Sequence, residues 1–174
     1  LGMPSVPLAA LRYALRLPVK SAYSIADMAR DTVGVLDALG IERAHIVGAS
    51  MGGMVAQHIA ATHPERVAAL TLIMTTSGAR HLPKPSAKAR AAMLDRRGLD
   101  PKNVEAVVDR LERVFTVIGS PAYRAEREAF RARLRASVQR AYRPSGVARQ
   151  LVAVAADGDR SPMLARITAP THIV

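Results

Sequence analysis

Residues 44–74 constrain the fold more than any other stretch. Ala44-His45-Ile46-Val47 is a short apolar run leading straight into Gly48-Ala49-Ser50-Met51-Gly52-Gly53, and a helix-forming segment continues from Gly53 to Thr62. His63-Pro64 closes that segment, and Val67 to Met74 is again apolar and rich in Val, Leu, Ile and Thr. Strand, helix, strand with short connections is the pattern of a parallel sheet with a right-handed crossover. Upstream, Ser24-Ile25-Ala26-Asp27 has the form of a capping box. Ile25, Met28, Thr32, Val35, Leu36 and Leu39 then mark one apolar helix face, and Gly40 supplies the stop. Leu8, Leu11 and Leu15 recur at helical spacing, which predicts a short surface helix within residues 1–20. That segment carries Arg12, Arg16 and Lys20 without a carboxylate, a superficial likeness to a transit peptide. At the other end, Pro170 is followed by Thr171-His172-Ile173-Val174, which begins like a buried parallel strand. The expectation is an internal fragment of a longer protein, incomplete at both ends.

Residues 79–161 break the rhythm. After Pro83 and Pro85, segments 86–96, 103–117 and 122–140 have helical patterns without a strand between them, and Asp100-Pro101 and Ser120-Pro121 read as helix starts. A helical block between parallel strands is where a lid or cap belongs. The predicted organisation is a lead-in and core half over 1–78, a helical cap over 79–161 and a return to the core over 162–174. The fold class is α/β, a parallel doubly wound sheet with an inserted helical cap.

Composition narrows the function. The 174 residues are 49% hydrophobic and 22% charged, as in a soluble globular chain. No stretch approaches the roughly 20 apolar residues needed to cross a bilayer. The absence of cysteine excludes disulfides, thiolate metal sites and cysteine nucleophiles, and fits a reducing, cytoplasmic setting. No His/Asp/Glu grouping has metal-ligand spacing, so no metal is expected. The net charge of +11 is concentrated in residues 80–150, where seventeen Lys/Arg face seven Asp/Glu. Such a footprint could attract nucleic acid or acidic lipid. Aromatic residues are only 3% and are not interleaved with the basic run, so the charge reads as a solvated helix surface, with no nucleic-acid or membrane partner.

The chemistry sits in Gly48-Ala49-Ser50-Met51-Gly52, a G-x-S-x-G sequence at the end of an apolar strand and the start of a helix. So sharp a turn forces Ser50 into a strained conformation and lifts its hydroxyl clear of the sheet. Gly48 and Gly52 are expected to remove side chains that would collide two residues before and after it. The Met51 N–H, unpaired at the helix start, points to where an oxyanion would form. Phosphate-binding patterns of the G-x-G-x-x-G and G-x-x-x-x-G-K-[ST] kinds are absent from this turn. The five histidines read otherwise than as the base for Ser50. His45 is packed or at a strand edge, His58 lies two helical turns past Ser50, His63 caps a helix end, His81 is in a loop and His172 is on the last strand. Asp157 and Asp159 read as capping the helix near Pro162. Met93, Leu94 and Phe115 are candidate apolar lining of the helical segment.

The stretch from Tyr23 to Gly78 resembles the nucleophile half of an alpha/beta-hydrolase. Tyr142 to Gln150 and Gly158-Asp159-Arg160 resemble the cap of an esterase-like branch that includes aclacinomycin methylesterase and relatives of 3-oxoadipate enol-lactonase. The likeness extends over nearly all of residues 21–174. One departure is Ala49, where many members carry histidine. The resemblance implies a cofactor-free serine hydrolase acting on a small ester or lactone, with Ser50 as nucleophile and Met51 as one oxyanion donor. It places the triad acid and histidine beyond Val174, and a second oxyanion donor before Leu1. The fragment alone is therefore expected to be inactive. A cofactor-free haloperoxidase, an acyl-transfer relative or a non-catalytic binding protein on the same scaffold are the alternatives.

Overall fold

The structure, a computed structural model, describes residues 4–95, 100 and 102–174. It divides into two compact units, Leu1–Leu82 with Ala148–Val174, and Pro83–Val147. The sequence pattern divided the chain at 78/79 and 161/162. The second structural boundary instead falls inside a helix, α7 (Pro144–Asp157), which has no counterpart among the segments identified from periodicity.

The first unit contains α1 (Val6–Ala14), α2 (Ile25–Ala38), β1 (Ala44–Ala49), α3 (Met51–Thr62), a 3-10 turn at Pro64–Arg66, β2 (Val67–Ile73), the C-terminal part of α7, α8 (Ser161–Leu164) and β3 (Thr171–Ile173). The three strands form one parallel sheet in the order β1-β2-β3. Along β1 and β2, His45 pairs with Ala69, Val47 with Thr71 and Ala49 with Ile73, after a register shift at Ala44/His45. Val67, Leu70 and Leu72 belong to the core that Ala56, Ile59 and Ala60 of α3 and Ala29 and Val33 of α2 complete, and half-buried Ile46 packs against it.

Both ends of α2 follow from its sequence. The Ser24 hydroxyl accepts from the Asp27 N–H at 3.0 Å, and Asp27 Oδ2 accepts from the Ser24 N–H at 2.7 Å, closing the capping box. At the far end Ile41 N–H donates to Leu36 O (2.9 Å) and Gly40 N–H to Asp37 O (3.0 Å), the paired bonds of a Schellman stop. The buried face is Ile25, Ala29, Val33 and Leu36. Val35 and Leu39, expected on that face, are 57% and 67% exposed. The i, i+4 row from Ile25 passes through Ala29 and Val33, and small Ala29 permits close approach to α3.

β3 is parallel, as its sequence predicts, but it is not buried, and Ile173 is 75% exposed. It is the outer strand of the sheet: Val174 N–H donates to Leu72 O at 2.9 Å and Met74 N–H to Val174 O at 2.8 Å, both toward β2.

The second unit contains α4 (Ala87–Leu94), α5 (Val104–Ile118), α6 (Arg127–Ala141) and the start of α7. Val107, Val108, Leu134 and Val138 form its core, bordered by Phe130, whose ring meets Phe115 edge-on at 5.8 Å. Met93, Leu94 and Phe115, the candidate lining residues, are each more than two-fifths exposed. Arg131 reaches Asp109 at 2.7 Å and Glu112 at 2.5 Å, and Arg135 reaches Glu105 at 2.6 Å, so part of the basic excess is matched across α5 and α6. Helix starts differ from expectation. Asn103 caps α5, its Oδ1 accepting from the Ala106 N–H at 3.0 Å, while Pro101 lies outside the described residues. Ser120-Pro121 does not begin α6. Glu126 does, accepting from the Glu128 and Ala129 N–H groups, because residues 121–126 offer no side chain to the core and Tyr123 is 89% exposed.

Candidate active site

β1 ends at Ala49 and α3 begins at Met51, so Ser50 alone makes the turn from strand to helix. It does so at φ 51° and ψ −118°, a region that side-chain-bearing residues rarely occupy. Neighbouring groups hold it there. The Ser50 N–H donates to Ile73 O at 2.9 Å, and the Ser50 carbonyl accepts from Gly53 N–H (3.0 Å) and Met54 N–H (3.3 Å). The same carbonyl accepts from Thr75 Oγ1 at 2.8 Å. The backbone is thus tied to β2, to α3 and to the segment after β2, while the residue itself is exposed. Strain maintained by so many contacts is a mark of functional turns.

The glycines around it divide the work differently from expectation. A Cβ at Gly48 would lie 2.4 Å from Gly52 O and 2.8 Å from Gly53 Cα, so strand and helix can meet only without a side chain there. A Cβ at Gly52 would meet nothing within 4 Å, which corrects the reading that Gly52 relieves a collision. The second tight position is Gly53, where a Cβ would lie 2.6 Å from Thr75 Cβ. The turn is squeezed against the residues after β2, and sequence reasoning had no means of seeing that contact. Met51 opens α3, where the first N–H groups of a helix lack partners within it.

No histidine reaches the Ser50 hydroxyl by a hydrogen bond among the described residues. His45 and His172 are exposed on β1 and β3, His81 is exposed, and His63 follows α3 as its C-cap. His58 belongs to a cluster that the sequence did not reveal. Its Nε2 donates to Asp157 Oδ1 at 2.9 Å, and both side chains are largely buried. Arg160, 3% exposed, pairs with the other Asp157 oxygen, donates from Nε to Gln57 Oε1 at 2.8 Å and from Nη2 to Thr76 O at 2.7 Å. Asp157 therefore does not cap α8. Nor is Asp159 its cap residue: the N-cap is Arg160, without a side-chain cap, and Asp159 accepts from the Ser161 N–H at 2.8 Å from one residue before it. Burial pushes the Asp157 carboxyl up, but the hydrogen bonds from His58 and Arg160 outweigh it and leave the group below the ordinary carboxylate value. Partners 99 and 103 residues apart leave no local sequence signal. Among the described residues no cluster of three or more His, Asp or Glu could hold a metal ion, and no helix is long and apolar enough to cross a membrane.

A parallel sheet whose strand-to-helix turn holds an exposed, strained serine defines a class of protein, and comparison with known sequences agrees. Residues 7–153 match the alpha/beta hydrolase fold family, and the chain belongs to it. It is 43% identical over 81 residues to a protein of Variovorax paradoxus named "Putative carbamate hydrolase RutD", covering 43% of this chain and 28% of that one. It is 42% identical over 79 residues to a homoserine O-acetyltransferase of Geotalea daltonii, covering 45% of this chain and 19% of that protein. Among solved structures, the enol-lactonase of Burkholderia xenovorans LB400 superposes with a TM-score of 0.62 at 24% identity, over 88% of this chain and 55% of that one. The chain thus spans about half of that structure and a smaller share of the curated relatives.

Proposed function

We propose that Ser50 is the nucleophile of a serine hydrolase acting on a small carboxylic ester or lactone. The observation that carries this is the turn itself: one serine, at φ 51°, held by backbone bonds to β2 and α3 with its side chain free of them. Ser50 Oγ attacks the acyl carbonyl carbon, and its proton passes to a histidine base that a carboxylate orients. The carbonyl oxygen becomes an oxyanion, and the Met51 N–H donates to it. One such donor supplies on the order of 3 kcal/mol in comparable sites. Collapse expels the alkoxide, which takes up the proton, and water then cleaves the acyl-enzyme by the same route in reverse. The expectation of a histidine base comes from the family likeness, and among the described residues no histidine hydrogen-bonds to the Ser50 hydroxyl.

The relatives' names support acyl chemistry in a broad sense. Carbamate hydrolysis and acetyl transfer to a hydroxyl both proceed by attack at an acyl carbon, and they differ in what accepts the acyl group. Acyl transfer to an alcohol is thus the second reading. The test is fluorophosphonate labelling of the intact protein, followed by peptide mapping. Label on Ser50, lost together with p-nitrophenyl ester hydrolysis in Ser50→Ala, is the expected result. Hydrolysis persisting in the variant would remove Ser50 from the mechanism.

A further inference from the structure

We infer that Arg160 is a positioning residue for the Ser50 turn, acting as a buried clamp on the segment that braces it; this rests on the reading of Ser50 as nucleophile. Residues 75–77 follow β2 after Met74, and Thr75 touches the turn at two points. Thr75 Oγ1 donates to the Ser50 carbonyl at 2.8 Å, and the Thr75 side chain fills the space that a Cβ on Gly53 would need. What fixes that segment comes from residues 157–161. Arg160 Nη2 donates to Thr76 O at 2.7 Å, Arg160 N–H to Ser77 O at 2.8 Å and Ser161 Oγ to Ser77 Oγ at 3.1 Å.

The guanidinium has no free arm. Its Nε takes Gln57 Oε1, one turn along α3 from the residues that bond the Ser50 carbonyl, and its Nη1 takes Asp157. Asp157 is held in turn by His58, also on α3. Gln57 Nε2 donates at 3.4 Å to the same Thr76 carbonyl. One planar cation therefore ties the helix that starts at Met51 to the strand end that braces Ser50. Its geometry makes this possible, because the fork reaches three acceptors in fixed directions, which an ammonium does not do. The close approach is also built into the backbone: at Gly78, φ +83°, a Cβ would lie 2.1 Å from Gly158 O.

A clamp and a merely structural ion cluster differ in what their removal disturbs. Gln57→Met keeps length and helix preference but removes one acceptor of Arg160, and Arg160→Met removes the cation. In the intact protein, the second-order rate of fluorophosphonate labelling at Ser50 should fall tenfold or more in either variant. Amide exchange of Gly53 and Met54, the donors to the Ser50 carbonyl, should quicken at least tenfold, while exchange at Val33 and Leu36 of α2 changes less than twofold. If Arg160→Met does not fold, Gln57→Met carries both readouts. Equal acceleration across α2 and α3, or an unchanged labelling rate, would overturn the clamp. A wild-type protein that takes no label at Ser50 would overturn the nucleophile assignment instead, so the two failures are distinguishable.

Discussion

At the scale of single residues, the Ser50 turn is defined as much by what is missing beside it as by the serine. Gly48 has Gly52 O at 2.4 Å and Gly53 Cα at 2.8 Å from where a Cβ would sit, both backbone atoms that cannot rotate away. Gly48→Ala must push β1 from α3, and overpacking of this kind costs about 1–3 kcal/mol. Gly52 has open space around its absent Cβ and lies in the first turn of α3. Alanine there removes unfolded-state freedom and favours the helix, so Gly52→Ala should be neutral or stabilising by up to about 1 kcal/mol. Urea unfolding of the two variants beside the parent checks this. A Gly52→Ala variant as unstable as Gly48→Ala would show that the turn needs both glycines for packing.

At the scale of elements, the same logic separates neighbours in α2. Val33 is 7% exposed and belongs to the core shared with α3 and β2, while Val35 is 57% exposed. Val33→Ala deletes two buried methyl groups, at about 0.8 kcal/mol each before any cavity cost, so a loss of about 2 kcal/mol is expected. Val35→Ala should stay within about 0.5 kcal/mol. Equal losses at both positions in chemical denaturation would contradict the packing described. The pair also shows what the sequence could convey. The existence of α2, its capping box, the β1–α3–β2 order and Ser50 at the turn are all local patterns, and all are legible in the chain. The face of α2 was not, because Val33 and Val35 are identical side chains and only the position of α3 chooses between them. Nor was the Glu126 start of α6, where a proline upstream has the right chemistry but nothing to bury. The Gln57–His58–Asp157–Arg160 cluster was hidden for a stronger reason: its two halves are about 100 residues apart, and each reads alone as an ordinary surface pattern.

At the scale of the whole molecule, charge sets how the fold responds to acid. Six described carboxyls lie below their ordinary values. The Ser24 N–H lowers Asp27, Arg135 lowers Glu105, Arg127 lowers Glu112, and the N–H groups of Ala129 and Ser161 lower Glu126 and Asp159. Asp157 joins them, its burial outweighed by His58 and Arg160. A carboxyl depressed in the folded state binds its proton later than in the unfolded state, so stability rises with pH between the folded and unfolded values. The contribution is complete above the unfolded range near about pH 4 and is lost as pH falls through the folded values. The chain has little reserve of opposing charge, because 25 Lys/Arg face 14 Asp/Glu, and each protonation adds to a net charge already at +11. Urea midpoints should therefore be level from about pH 7 to pH 5 and drop steeply below about pH 4. Asp157→Asn should lower the midpoint at neutral pH, since it leaves Arg160 without its buried counter-charge, and should make the acid drop shallower, since one depressed carboxyl is gone. An acid limb as steep in the variant as in the parent would mean that Asp157 is not depressed by His58 and Arg160 in the folded protein.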